Sequence, residues 1–436
     1  MERLKYIKEL KDDKLDFDNS SIEILAELID KYSDNQELIS FLEELNIDNF
    51  TPEEAVTLAQ IIANTGKKLD ISSKIGECIT KASIGEISDC VSLVGMSVLS
   101  SLGVKVVKIT SPSYGKFSNT ISRLQVFDGF DANVTEDRFS LIANSIGCAI
   151  YENDGEIASL DSKLIDIMNK FTVPSLPLIA VSLLAKKIAL GASVVIYDVK
   201  CGEGGMVKHK ADAYKLAEFL VSATNLAGMK SACVVTTLNQ PITATVGSLV
   251  ELREVVKTLS SGDAYFNSDL MNVSRELVEI ALILLKKANG RAEASEMFEE
   301  AILSGSALSK FREIIEAYGG NFDIINKDMS VLSNVAVSYV TAEIDGYMAD
   351  IDSNGLYNAI ITMSKLKGPR SKIDKNAGIV LLEREGTRLI AGTKLARITY
   401  SFDNENFPKA LKQVDSSIMV KAQKPKLDRL LVKVFV

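Results

Sequence analysis

Apolar residues recur at three- and four-residue steps through the first seventy positions. "SSIEILAELIDKY" and "NQELISFLEEL" each carry such a stripe, which predicts amphipathic helices. "TPEEAVTLAQIIANTG" adds a start signal, because Thr51, Pro52 and Glu54 make a capping box with proline at the first helical position. From about residue 76 the pattern changes. Short β-branched runs, "KVVKIT" (105–110), "CAIY" (148–151), "SVVIYDVK" (193–200) and "SACVVTTL" (231–238), alternate with helix-like stretches. That alternation predicts a mainly parallel sheet with helices on both faces. The stretch 159–190 breaks it with two helical patterns in succession, so it is expected to leave the sheet and pack on the N-terminal helices. Helices dominate from 246 to about 318, and β-patterned stretches with glycine turns follow.

The fold class expected from this pattern is α/β: a small all-helical domain (1–70 and 160–192), a larger α/β domain (71–159 and 193–330) and a C-terminal α+β unit (331–436). A length of 436 residues, 47% of them hydrophobic, is enough to bury the core that two or three domains need. The most apolar stretch, "SLPLIAVSLLA" (175–185), stops at Lys186 and Lys187, well short of the roughly 18 residues a membrane span requires, and reads as a buried helix. The opening "MERLKYIKELKDDK" mixes charge with apolar residues at helical spacing and lacks the uninterrupted apolar run of a secretory signal.

A net charge of −9 and short Lys/Arg clusters argue against a nucleic-acid surface, which needs a basic stripe. Five scattered cysteines, odd in number and without a CxxC pair, point to reduced core thiols in a cytoplasmic protein. The single histidine, His209, lies between two lysines at a helix start and reads as solvated, which removes the commonest general acid or base from consideration.

The candidate chemistry sits in "TKASIGEISD" (80–89), between the apolar run Ile71–Ile79 and the helix-like Cys90–Leu102. Read as a turn ahead of a helix, it offers backbone N–H groups, two serine hydroxyls and a lysine to an anion. The carboxylate of Glu86 carries the wrong charge for that task.

Together with "GKFSNTISRLQ" (115–125), "SLPLIAVSLLAKK" (175–187), "DVKCGEGGMVK" (198–208) and "NQPITATVGSLVELRE" (239–254), this stretch resembles the thymidine and pyrimidine-nucleoside phosphorylases, and the similarity runs over essentially the whole chain. The resemblance implies phosphorolysis, in which phosphate attacks the anomeric carbon of a nucleoside to give free base and pentose 1-phosphate. It implies phosphate contacts at Lys81, Ser83, Ser92, Thr110 and Thr120, and base contacts at Ser182 and Lys186. Phosphate enters as co-substrate, no cofactor is required, and a homodimer built through the helical domain is implied.

Several positions depart from the family pattern. Ala82 stands where the family has histidine, so the catalytic residue is left open. Ile84, Glu86 and Ser88 replace a threonine and two glycines, and Lys116 and Phe117 alter the second turn. The family's base-binding arginine corresponds to Ile167 or Met168, with Lys170 as a nearby substitute charge. A monovalent cation, bound by some members, would fall to Ser88, Cys90 and Glu254, with carbonyls from Ile242 and Thr245. The expectation is a pentosyltransferase of altered specificity or weak activity, the alternative being a non-catalytic paralogue that binds a nucleoside or sugar phosphate in the same cleft. An anthranilate phosphoribosyltransferase-like reaction would call for more acidic residues than Glu86 and Asp89 to hold magnesium and diphosphate.

Overall fold

The computed structural model describes residues 2–85, 90–110, 120–260, 268–326, 334–364, 374–427 and 429–436. Glu86, Ser88, Asp89, Lys116 and Phe117 lie outside these residues.

Helices α1 (Glu2–Asp12), α2 (Asn19–Lys31), α3 (Gln36–Glu44) and α4 (Pro52–Ala63) come first. The capping box at the start of α4 is complete, with the Thr51 hydroxyl accepting from the Glu54 backbone N–H and the Glu54 carboxylate accepting from that of Thr51. The buried Glu54 carboxylate also accepts from the Phe17 backbone N–H and from the Lys11 ammonium at 2.7 Å, which ties α1 and the loop after it to α4. Thr51→Ala is expected to lower stability by about 1 kcal/mol, the usual worth of an N-cap, measured as a shift in denaturation midpoint.

The next elements are α5 (Ile71–Ile75), β1 (Ile79–Ile84), α6 (Cys90–Ser101), β2 (Val106–Thr110), α7 (Thr120–Leu124), α8 (Glu136–Ile146) and β3 (Cys148–Glu152). Helices α9 (Ser159–Met168) and α10 (Leu176–Leu190) follow and pack against α2, α3 and α4. Helix α10 is buried around nearly its whole circumference, as its uniform hydrophobicity requires. The chain then returns to the sheet with β4 (Val194–Cys201), α11 (Lys210–Leu226) and β5 (Lys230–Thr237).

One correction to the local pattern concerns "TKASI". It is the body of strand β1 rather than part of a turn, paired along its length with β4, while β2 joins the same strand at Ile79. The six-stranded sheet has the order β13-β5-β4-β1-β2-β3, and every pair is parallel except the edge strand β13 (Leu431–Phe435) on β5. From β1 the chain runs outward through β2 and β3 on one side, then crosses to β4 and β5 on the other. The order therefore reverses between β1 and β4, and the crevice beyond the carboxyl ends of strands at such a reversal is where open α/β sheets bind ligands.

After β5 come β6 (Thr245–Val246), α12 (Ser248–Leu259), α13 (Asp269–Leu284), α14 (Arg291–Leu303) and α15 (Ser306–Ala317). The last part holds β7 (Val335–Thr341), β8 (Gly346–Ile351), α16 (Ser353–Ser364), β9 (Gly378–Leu381), β10 (Arg388–Leu389), β11 (Lys394–Ser401), α17 (Phe407–Ser416) and β12 (Ile418–Lys421). These strands form two small sheets, β10-β8-β12 and β6-β9-β11-β7, and β6 joins the second of them to the chain ahead of α12. Strand β13 does not remain with them, because it closes the edge of the large sheet. Among the described residues no helix is long and apolar enough to cross a membrane. All five cysteines are buried and unbridged, and burial pushes the Cys78 thiol up to about 11 and the Cys148 thiol up to about 12.

Candidate active site

The crevice between β1 and β4 is lined by charge. Lys81 and Ser83 alternate out of β1 onto the face that α6 covers. The Lys81 ammonium donates to Ser83 Oγ, to Ser92 Oγ on α6 at 3.1 Å and to Asp198 Oδ2 on β4 at 2.8 Å. Ser83 is the register partner of Asp198 in the sheet, so pairing of the two strands fixes this approach. Lys200, two residues along β4, donates to the same Asp198 oxygen, and Lys108 on β2 donates to Ser92 Oγ at 3.3 Å. Ser92, Asp198, Lys108 and Lys200 are all buried. Burial alone would push the Asp198 carboxyl up, but the ammonium groups of Lys200 and Lys81 outweigh it and hold it below the usual carboxylate range.

Gly85 closes the end of β1 for a steric reason. A Cβ there would lie 2.9 Å from Lys200 Cδ and 3.0 Å from Lys200 Cβ, so the lysine stem passes where a side chain would stand.

Lys81, Ser83 and Ser92, three residues expected at an anion site, are thus in direct contact. Thr110 ends β2 on the face that also bears Lys108, and Thr120 heads α7, both buried. Lys108, Asp198 and Lys200 are additions to the expected set. Their signal lies in "KVVKIT" and "YDVK", where charged residues interrupt strands that are otherwise apolar on both faces, as buried parallel strands are.

Ala82 points to the opposite face of β1 from Lys81, together with Thr80 and Ile84. On that side the Lys187 ammonium of α10 reaches Thr80 Oγ1 at 3.5 Å, so the position lacking histidine faces the helix that carries Ser182 and Lys186. Those two residues stand one turn apart, and Lys186 Nζ donates to Ser182 Oγ at 3.2 Å. Lys186 also donates to Asp161 Oδ2 on α9 at 2.9 Å, a buried ion pair that sequence spacing did not reveal; the other Asp161 oxygen has no hydrogen-bond partner among the described residues. Of the two positions that correspond to the family's arginine, Ile167 is fully buried and Met168 half-buried, and neither supplies a charge. The Lys170 ammonium pairs with Asp34 at 2.6 Å on the loop between α2 and α3. His209 is exposed at the start of α11.

The described part of the expected cation set is tied into hydrogen bonds within the protein. Glu254 accepts from the Ala244 backbone N–H at 2.9 Å and from Thr245 Oγ1 at 2.6 Å, so both its oxygens are engaged. Burial pushes its carboxyl above the usual value. The carbonyls of Ile242 and Thr245 accept from Arg384 and from Thr243 Oγ1. Cys90 donates instead to Glu251, at 3.7 Å. That glutamate is the centre of a separate buried node: it accepts from Arg123 Nε at 2.6 Å, from the Tyr357 hydroxyl at 2.9 Å and from the Gly247 backbone N–H at 3.0 Å.

No protein-family model matches the chain. Pyrimidine-nucleoside phosphorylase of Staphylococcus haemolyticus is 30% identical over 376 residues, covering 85% of each chain. The enzyme of the same name from Geobacillus stearothermophilus is 30% identical over 349 residues, 79% of this chain and 80% of its own. Among solved structures, anthranilate phosphoribosyltransferase from Thermus thermophilus superimposes with a TM-score of 0.57 over 73% of this chain and all of its own, at 11% identity, a likeness of fold. Sequence similarity at this level across most of both chains, on the α/β fold and motif order described above, shows that the chain belongs to the pyrimidine-nucleoside phosphorylase family.

Proposed function

We propose that the protein is a pentosyltransferase that cleaves a nucleoside with phosphate, with base recognition altered from that of its relatives. The observation that carries this reading is the cluster of Lys81, Lys108, Ser83 and Ser92 at the reversal point of the sheet, where ammonium groups and hydroxyls suit a phosphate dianion. An oxygen of phosphate attacks the anomeric carbon, the C–N bond breaks with its electron pair going to the base, and base and pentose 1-phosphate leave. Developing negative charge on the base is met by hydrogen bonds from Lys186 and Ser182.

In this reading residues 1–70 and 160–192 form one jaw of the cleft, residues 71–159 and 193–330 the other, and residues 331–436 a third unit. The protein works as a cytoplasmic homodimer with phosphate as its co-substrate. Altered recognition is supported by Ala82 and by Ile167 or Met168 in place of arginine, which leave the base side with Ser182, the Lys186–Asp161 pair and no guanidinium fork among the described residues. The same two departures favour a second reading, a paralogue that binds a nucleoside or sugar phosphate without turnover.

The deciding experiment incubates purified protein with a panel of pyrimidine and purine nucleosides, with and without phosphate, and follows free base by chromatography. Phosphate-dependent release is expected from at least one nucleoside; none across the panel from folded protein selects the binding paralogue. Lys186→Met is expected to raise the nucleoside KM about tenfold or more, as loss of a charged hydrogen bond does, with the phosphate KM changed less than about twofold.

A further inference from the structure

The Lys81 ammonium has three N–H donors, and among the described residues it contacts Ser83, Ser92 and Asp198. A phosphate oxygen that takes one of the three donors displaces a contact of the ammonium. The two hydroxyls can turn and themselves donate to phosphate, so they have no need to withdraw. Asp198 is different: as a carboxylate it repels the anion, and it already holds a second cation, Lys200, on the oxygen that Lys81 uses. Two ammonium groups share Oδ2, while Oδ1 has no hydrogen-bond partner among the described residues. Departure of Lys81 would relieve repulsion between the two cations and leave a buried carboxylate that is still paired, which avoids the large penalty of an isolated buried charge.

We propose that Asp198 is a positioning residue that holds the Lys81 ammonium while the crevice is empty and releases it to the incoming phosphate, keeping Lys200 as its own counter-ion. The proposal rests on the reading of this crevice as a phosphate site. It explains why a site of the right composition for an anion contains a fully buried aspartate: the carboxylate keeps a lysine charged, aimed and screened until the substrate replaces it. It also gives Lys200 a role, since without it Asp198 could not let Lys81 go.

The test is calorimetric titration of the full-length protein with inorganic phosphate, native against Asp198→Asn. The amide oxygen, being neutral, competes for the ammonium more weakly than the carboxylate and does not repel the anion, so the variant is expected to bind phosphate about threefold or more tightly than the native protein. Equal or weaker binding by a folded Asp198→Asn protein overturns the exchange. Should the variant fail to fold, the native protein carries the test through a crystal structure with inorganic phosphate. There Lys81 Nζ is expected on phosphate and beyond hydrogen-bond reach of Asp198, with Lys200 still in place; Lys81 remaining on Asp198 beside bound phosphate overturns the proposal. Native protein that binds phosphate yet releases no base counts against the phosphorolysis proposed above while the titration still decides the exchange. Native protein that binds no phosphate overturns the exchange.

Discussion

Glu251→Gln is expected to destabilise the protein by about 3–5 kcal/mol, the usual effect of removing one partner from a buried ion pair. Arg123 is 2% exposed and Glu251 1%, so water cannot replace what the carboxylate supplies. An amide in its place would present an NH2 group or a single neutral acceptor to a guanidinium that needs a negative partner. The loss reaches several elements at once, because Glu251 on α12 accepts from Arg123 on α7, from Tyr357 on α16 and from the Gly247 backbone. Urea denaturation of the two proteins measures it, and a difference under about 1 kcal/mol would mean the pair contributes no more than an exposed one. Replacing both partners, Arg123→Met with Glu251→Leu, is expected to be milder than the single change, since no charge is then left buried.

Acid should erase the same difference. Burial alone would raise the Glu251 carboxyl, but Arg123 and the hydrogen bonds around it hold it below the usual glutamate value. A carboxyl whose folded value is depressed stabilises the fold above its unfolded value and loses that contribution as pH falls through the folded one. The native protein is therefore expected to lose its advantage over Glu251→Gln on acidification below about pH 4, and a constant gap down to full acid unfolding would contradict the assignment.

Lys81→Met is expected to reduce phosphate-dependent base release about a thousandfold, equivalent to about 4 kcal/mol of transition-state stabilisation. A charge-assisted hydrogen bond contributes about 1.5–3 kcal/mol, and the ammonium also organises Ser83 and Ser92 by donating to both. The fold should tolerate this change better than Glu251→Gln, because Lys200 continues to pair with Asp198. Steady-state kinetics with varied phosphate checks the prediction, with circular dichroism to confirm folding. A loss below about tenfold would remove Lys81 from the binding machinery.

Local physics is legible where neighbours in sequence are also neighbours in space. The capping box of Thr51 and Glu54 closes within one helical turn, and the i,i+4 spacing of Ser182 and Lys186 already implies a shared face. Runs such as "SVVIYDVK" read as strands because β-branched side chains suit a pleated surface. "TKASI" is the exception, because serine and a following glycine mark turns when considered locally. Pairing of all five residues with β4, on a strand that β2 joins at Ile79, overrides that preference and makes it part of a central strand.

Hydrophobic period and the order of motifs are properties of the chain alone, and they suffice for the class of fold, for the succession of most of its elements, strand β1 apart, and for the family. They also bring Lys81, Ser83 and Ser92 near one another, since a strand and the helix after it meet at the same end of a parallel sheet. The charge partners are a matter of the folded molecule. Asp198 meets Lys81 from more than a hundred residues away through strand register, and Asp161 meets Lys186 because α9 packs on α10. Lys170 pairs with Asp34, and strand β13 leaves its neighbours in sequence for the edge of the large sheet. Such contacts depend on which surfaces the folded core brings together, and no local pattern of residues records that choice.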